Sequence, residues 1–136
     1  MKALYPPLSY ALFIAIGIAA LSMIMVFINN FTDGIQRNYA YSQLSYTADV
    51  IKDDILKLYS TNAEGRIDVD APTKIAGKQY TIELNQNNLT LSLSIGNRLL
   101  EVNRSINIDA SLSGRSYAPV SVEMEKLNGD VFIRLV

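Results

Sequence analysis

The sequence predicts an α+β protein: a long N-terminal helix, membrane-spanning and then amphipathic, packed on a small antiparallel β-sandwich-like domain of six or seven strands. Three observations carry that expectation. From Ala3 to Thr32 there is no charged residue. From Ile35 to Tyr59 apolar residues recur at helical spacing. From Arg66 onward the period falls to two, with turn residues between the runs.

Leu8 to Ile28 reads LSYALFIAIGIAALSMIMVFI, 21 residues without a charge. At 1.5 Å per residue such a helix crosses a hydrocarbon core about 30 Å thick. A buried core helix of a globular protein keeps a polar face, and this segment has none. A secretory signal has a shorter apolar region ending in a small-x-small site. Here the run continues into Phe27-Ile28-Asn29-Asn30-Phe31 without one. Lys2 precedes the span and Arg37 lies beyond Asp33, so the positive-inside rule puts the N-terminus in the cytoplasm and the remainder outside. Ala11, Ala15, Ala19 and Ser22 step by four, four and three, a stripe of small side chains on one face. Such a stripe lets apolar helices approach one another closely, although alanine is also common in membrane helices generally.

Beyond Gly34, Tyr41, Leu44, Ala48, Ile51, Ile55 and Leu58 form an apolar seam. Asp49, Lys52, Asp53 and Lys57 fall largely off it. If span and seam join, the helix runs roughly 50 residues, on the order of 75 Å. Gly34, after the Asn29-Asn30 pair, is the expected kink or break. Tyr39, Tyr41, Tyr46 and Tyr59 would cover the underside of a sheet or mark a stacking interface. Asn62 and Gly65 end the helix.

The β-rich part is expected as Arg66–Asp70, Gln79–Asn85, Leu89–Ile95, Leu99–Asn103, Ile106–Leu112, Val120–Leu127 and Val131–Val136. Gln86-Asn87-Asn88, Gly96-Asn97, Ser113-Gly114 and Asn128-Gly129 separate these runs, the last being the strongest hairpin signal. One-sided alternation implies antiparallel pairing with one face on a core and one in water. The expected organisation is residues 4–34 as the apolar helix, 35–60 as its amphipathic extension and 66–136 as the β domain.

Chemistry is sparse. The chain has no Cys and no His, which removes thiol chemistry and the side chain most used for proton transfer at neutral pH. From Asp33 onward eleven basic residues face thirteen acidic ones, a net charge of −2, which argues against nucleic acid as partner. Asp68 with Asp70, and Glu123 with Glu125, are i,i+2 carboxylate pairs of a kind that can bind Ca²⁺ or simply solubilise a strand. No phosphate-binding loop or nucleophile–base pair is present, so neither an enzyme nor a cofactor or metal site is expected. Asn88-Leu89-Thr90 and Asn103-Arg104-Ser105 fit the N-glycosylation sequon on the domain, and Asn30-Phe31-Thr32 fits it beside the span.

The first residues, Met1-Lys2-Ala3-Leu4-Tyr5-Pro6-Pro7-Leu8, place a basic, a small and an apolar residue, then Pro, directly before the span. This resembles the class III signal of archaeal type IV prepilins, which a membrane peptidase cuts after the small residue. The resemblance implies residues 1–3 as the signal, Lys2 as the recognition charge, Ala3 as the last signal residue and Leu4 as the mature N-terminus. Tyr5 stands where the family often has Ser. Leu8 stands at the fifth mature position, where bacterial pilins carry Glu and archaeal members typically lack the charge. The resemblance further implies a pilin-like, pseudopilin-like or archaellum-related protein that self-associates into a surface filament after processing by the prepilin peptidase. A membrane-tethered binding module that contacts the surface layer, like an archaellum stator protein, is the other expectation.

Overall fold

The computed structural model describes residues 5–136, so Lys2, Ala3 and Leu4 lie outside the described residues. The elements are α1 (Tyr5–Thr61), β1 (Gly65–Asp68), β2 (Thr81–Asn85), β3 (Asn88–Ile95), β4 (Arg98–Ser105), β5 (Ser111–Tyr117), β6 (Ser121–Leu127) and β7 (Asp130–Leu135). Two compact units divide the chain, Met1–Gln36 and Arg37–Val136.

Pro6 and Pro7 fall in the first turn of α1, where a missing N–H costs no helical hydrogen bond. The helix continues through Asn29, Asn30 and Gly34, so the break expected there is absent. A glycine inside a helix costs only about 1 kcal/mol relative to alanine, too little to stop one with long flanking turns. Asn62, with a positive φ of 52°, caps the end, its N–H donating to the Tyr59 carbonyl at 3.1 Å. Within residues 7–61 the helix is long and apolar enough to cross a membrane.

In the second unit all seven strands join one sheet in the order β1-β6-β7-β5-β2-β3-β4. The α+β class with a long helix on the sheet therefore holds, and the layer facing the sheet is α1 rather than a second sheet. Buried Leu44, Ala48, Ile51, Ile55 and Leu58 of α1 join Ile82, Leu84, Leu89, Leu91, Leu93, Val122, Met124 and Ile133 in one core. Tyr41 is a correction to the seam: it is 49 % exposed, and Ala40 and Thr47 complete the buried stripe instead. Alanine brings the backbone close to the sheet, and the Thr47 hydroxyl donates to the Gln43 carbonyl at 2.8 Å, so no polar atom there is orphaned. Tyr39 and Tyr46 are likewise exposed rather than under the sheet, and Tyr59 is half-buried.

Most pairings are antiparallel, but β5 runs parallel to β7 through Ser111↔Phe132 to Ser113↔Arg134. The fifth strand also departs from the alternation at residues 106–112. It begins at Ser111 and continues through Gly114 to Tyr117. Gly114 has a φ of +133°, and a Cβ there would lie 2.8 Å from the backbone nitrogen of Leu135. Glycine is the residue that lets β5 lie against the end of β7, so the signal that reads as a stop is a close-approach site. The two-residue turn Asn128-Gly129 joins β6 to β7 with both φ values positive, 55° and 96°, the twist a tight hairpin needs.

Candidate functional site

The candidate site is the apolar half of α1. Ala11, Ala15, Ala19 and Ser22 are all exposed, as are their large neighbours Leu12, Phe13, Ile16, Ile18 and Met23. Their spacing on an unbroken helix puts the four small residues on one face. The Ser22 hydroxyl donates to the Ile18 carbonyl at 2.8 Å, which lets a polar side chain sit in apolar surroundings without an unpaired proton. Gly17 has open space where a Cβ would stand. Phe27 and Phe31, one turn apart, stack at 6.2 Å between ring centroids. From Leu8 to Ile28 this surface carries no charged side chain, which suits it to apolar surroundings.

The second unit fastens α1 to the sheet through polar contacts that periodicity alone does not reveal. Arg104 of β4 donates through Nε to Asp49 Oδ1 at 2.6 Å and through Nη2 to Ser45 Oγ at 2.6 Å. That hydrogen bond holds the Asp49 carboxyl below its ordinary range. At the C-terminal end of α1, Lys126 Nζ donates to both the carbonyl and the Oδ1 of Asn62 at 2.6 Å. Arginine on the strand phase of Leu100 and Val102, opposite Leu89 in β3, is the one trace of the Arg104 clamp in the sequence.

Three of the four paired carboxylates have protein partners. Glu123 and Glu125 both accept from Arg134, at 3.0 and 3.1 Å. Asp68 accepts from the Ser121 hydroxyl at 2.6 Å, and Arg66 donates to the same hydroxyl at 2.9 Å. Asp70 is exposed. Among the described residues no group of three or more His, Cys, Asp or Glu is placed to hold a metal. Tyr80 is buried, its hydroxyl donating to the Pro72 carbonyl at 2.7 Å, and burial pushes its phenol up to about 12. It holds its proton at any physiological pH and serves the core.

The described surface includes shallow recesses. One of about 340 Å³ is lined mainly by apolar surface of Tyr39, Gln43, Tyr46 and Pro72. Polar recesses of about 340 and 420 Å³ flank Asn87 and Ser111. Asn88 and Asn103 are exposed on β3 and β4, and Asn30 lies within α1.

Neither a characterised protein nor a solved structure matches the chain. A family model does match, over residues 1–136: the chain belongs to a family of unknown function, DUF7266.

Proposed function

We propose that this protein is a structural subunit, major or minor, of an archaeal type IV pilus-like surface filament, polymerising through its apolar helix. The observation that carries the reading is α1 from Leu8 to Ile28, which has no charged residue and buries none of its side chains among the described residues. A helix of that kind is stable in lipid and equally stable among copies of itself. One surface therefore serves as membrane anchor before assembly and as filament core after it. The N-terminus lies in the cytoplasm, the β domain outside, and the prepilin peptidase cuts between Ala3 and Leu4.

N-terminal sequencing of membrane and sheared surface fractions tests this. The expected result is a chain beginning at Leu4 in sheared filaments. Intact Met1 found in membranes alone would sink it. The stripe has its own test, because Ala15→Leu adds bulk at its centre. That variant should insert in the membrane normally and fail to assemble, and wild-type filament yield from it removes the stripe from the mechanism.

The second reading, a membrane-tethered module that binds the surface layer without polymerising, draws support from the apolar recess at Tyr39, Tyr46 and Pro72. It predicts a single-copy anchor and no sheared filament.

A further inference from the structure

The two sequons of the domain lie on neighbouring strands and run in opposite directions. The register sets Asn88 against Ser105, Leu89 against Arg104 and Thr90 against Asn103. Each acceptor amide thus stands across from the hydroxyl of the other sequon and diagonal to the other acceptor. The middle residues turn inward: Leu89 is fully buried, and Arg104 reaches Asp49 and Ser45 of α1. Side chains alternate along a strand, so Asn88, Thr90, Asn103 and Ser105 all stand on the opposite, outer face. Asn88, Asn103 and Ser105 are exposed there and Thr90 is partly exposed. The flanking outer positions are also hydrophilic, Asn85 and Ser113 in one row and Glu83 and Arg115 in the next.

We propose that this four-residue block is a paired acceptor site for N-linked glycans, one at Asn88 and one at Asn103. The inference rests on the outward orientation of the domain given above. In each transfer the side-chain amide nitrogen bonds to the anomeric carbon of a glycan carried on a lipid phosphate. The bond from that carbon to the phosphate oxygen breaks, the lipid phosphate leaves with the electron pair, and the amide gives up one proton. Nothing is oxidised or reduced. Thr90 and Ser105 supply the hydroxyl two residues on that the transferase reads.

The geometry separates these sites from the third sequon. Asn30 sits in the helical backbone of α1, at the end of the apolar run, whereas Asn88 and Asn103 sit in extended chain. β4 is the sheet edge, and the Asn88 side chain of its neighbour β3 stands exposed beside it. Asn88 and Asn103 are diagonal cross-strand neighbours, about 7–8 Å apart. Both glycans therefore rise from one patch, keep the outer face in water and screen the exposed edge of β4.

Intact-mass and glycopeptide analysis of the full chain from native membranes is the test. Two glycan increments are expected, on the peptides containing Asn88 and Asn103, with the Asn30 peptide bare. Asn88→Gln should lose one increment. Ser105→Ala, which keeps Asn103 itself, should lose the other, and the double variant should lose both. A bare mass, a single increment, or glycan persisting in the double variant overturns the paired site. Because the chain has no cysteine, Asn97→Cys in the β3–β4 turn reports orientation by labelling whole cells with a membrane-impermeant maleimide. Labelling without glycan overturns the glycan site alone; no labelling overturns it together with the outward orientation.

Discussion

Residues 7–36 and 37–61 belong to one helix, yet they solve opposite problems. The first stretch is the more apolar and buries none of its side chains within the described chain. The second is mixed in character and buries Ala40, Leu44, Thr47, Ala48, Ile51, Ile55 and Leu58 at three- and four-residue spacing. Apolar content therefore does not locate the core of this protein. What locates it is the alternation of apolar with polar positions, because only a one-sided helix has a face to give a sheet and a face to leave in water. A helix apolar on all sides needs a surrounding medium or several like neighbours.

The sharpest way to break that comparison is to separate the two stretches. Residues 37–136 alone should be a soluble, cooperatively folding domain, since every buried apolar residue among those described lies between Ala40 and Leu135. Fractionation would show the full chain in membranes and the truncated chain in the supernatant, with a single thermal transition by circular dichroism. A truncated chain that stays unfolded would mean that the first stretch supports the core after all. Next in size is a matched pair of deletions. Ile51→Ala should cost about 3 kcal/mol in denaturant unfolding, through lost burial and the cavity left behind. Ile16→Ala, 57 % exposed in wild type, should change it by less than about 0.5 kcal/mol. Equal effects would erase the distinction between the stretches.

The comparison also explains which parts of the fold were legible in the sequence. The β2, β3, β6 and β7 alternations are visible because each strand turns one face to the core, and the Asn128-Gly129 hairpin because both residues tolerate positive φ. Residues 106–110 alternate just as well, yet form no strand; Ile106 is buried within a connecting segment. Alternation records which side of the chain is buried, and a loop crossing a core edge produces it too. The parallel β5–β7 pairing left no local trace, because its partners are about twenty residues apart and no turn signal joins them. At the candidate site the four small residues were legible as a pattern on a helix. The Arg104 clamp was not, since an arginine on the phase of Leu100 and Val102 looks like a pattern error until Asp49 and Ser45 are placed beside it.

Gly114 gives a test of intermediate size. Gly114→Ala puts a Cβ against the Leu135 backbone at a positive φ, and should destabilise the domain by about 2 kcal/mol. Gly34→Ala, with open space around its Cβ position, should be neutral or slightly stabilising for the helix. Thermal unfolding of the two variants side by side measures the contrast. If Gly114→Ala unfolds with the wild-type midpoint, the glycine is a simple breaker and the close approach of β5 to β7 is not what fixes it.

The smallest effect belongs to the clamp, and its pH dependence gives it a signature. Asp49 is held below its ordinary value by the hydrogen bond from Arg104, so its charged form is favoured in the folded state. The clamp's contribution is then complete above the unfolded-state value, about 3.9, and is lost as pH falls through the lower folded-state value. The Asp49 side chain is 55 % exposed, and solvent screening holds the ion pair to roughly 0.5–1 kcal/mol. Asp49→Asn should therefore lower stability slightly at pH 7, and the gap to wild type should close in strongly acidic buffer. Asn retains an acceptor for Arg104, so the gap measures the charge and not the contact. A gap that persists unchanged down to acid pH would assign the effect to packing of Arg104 against α1. The clamp would then belong with the Leu44–Leu58 stripe as part of one steric interface, leaving the polar contacts no separate role in holding the helix to the sheet.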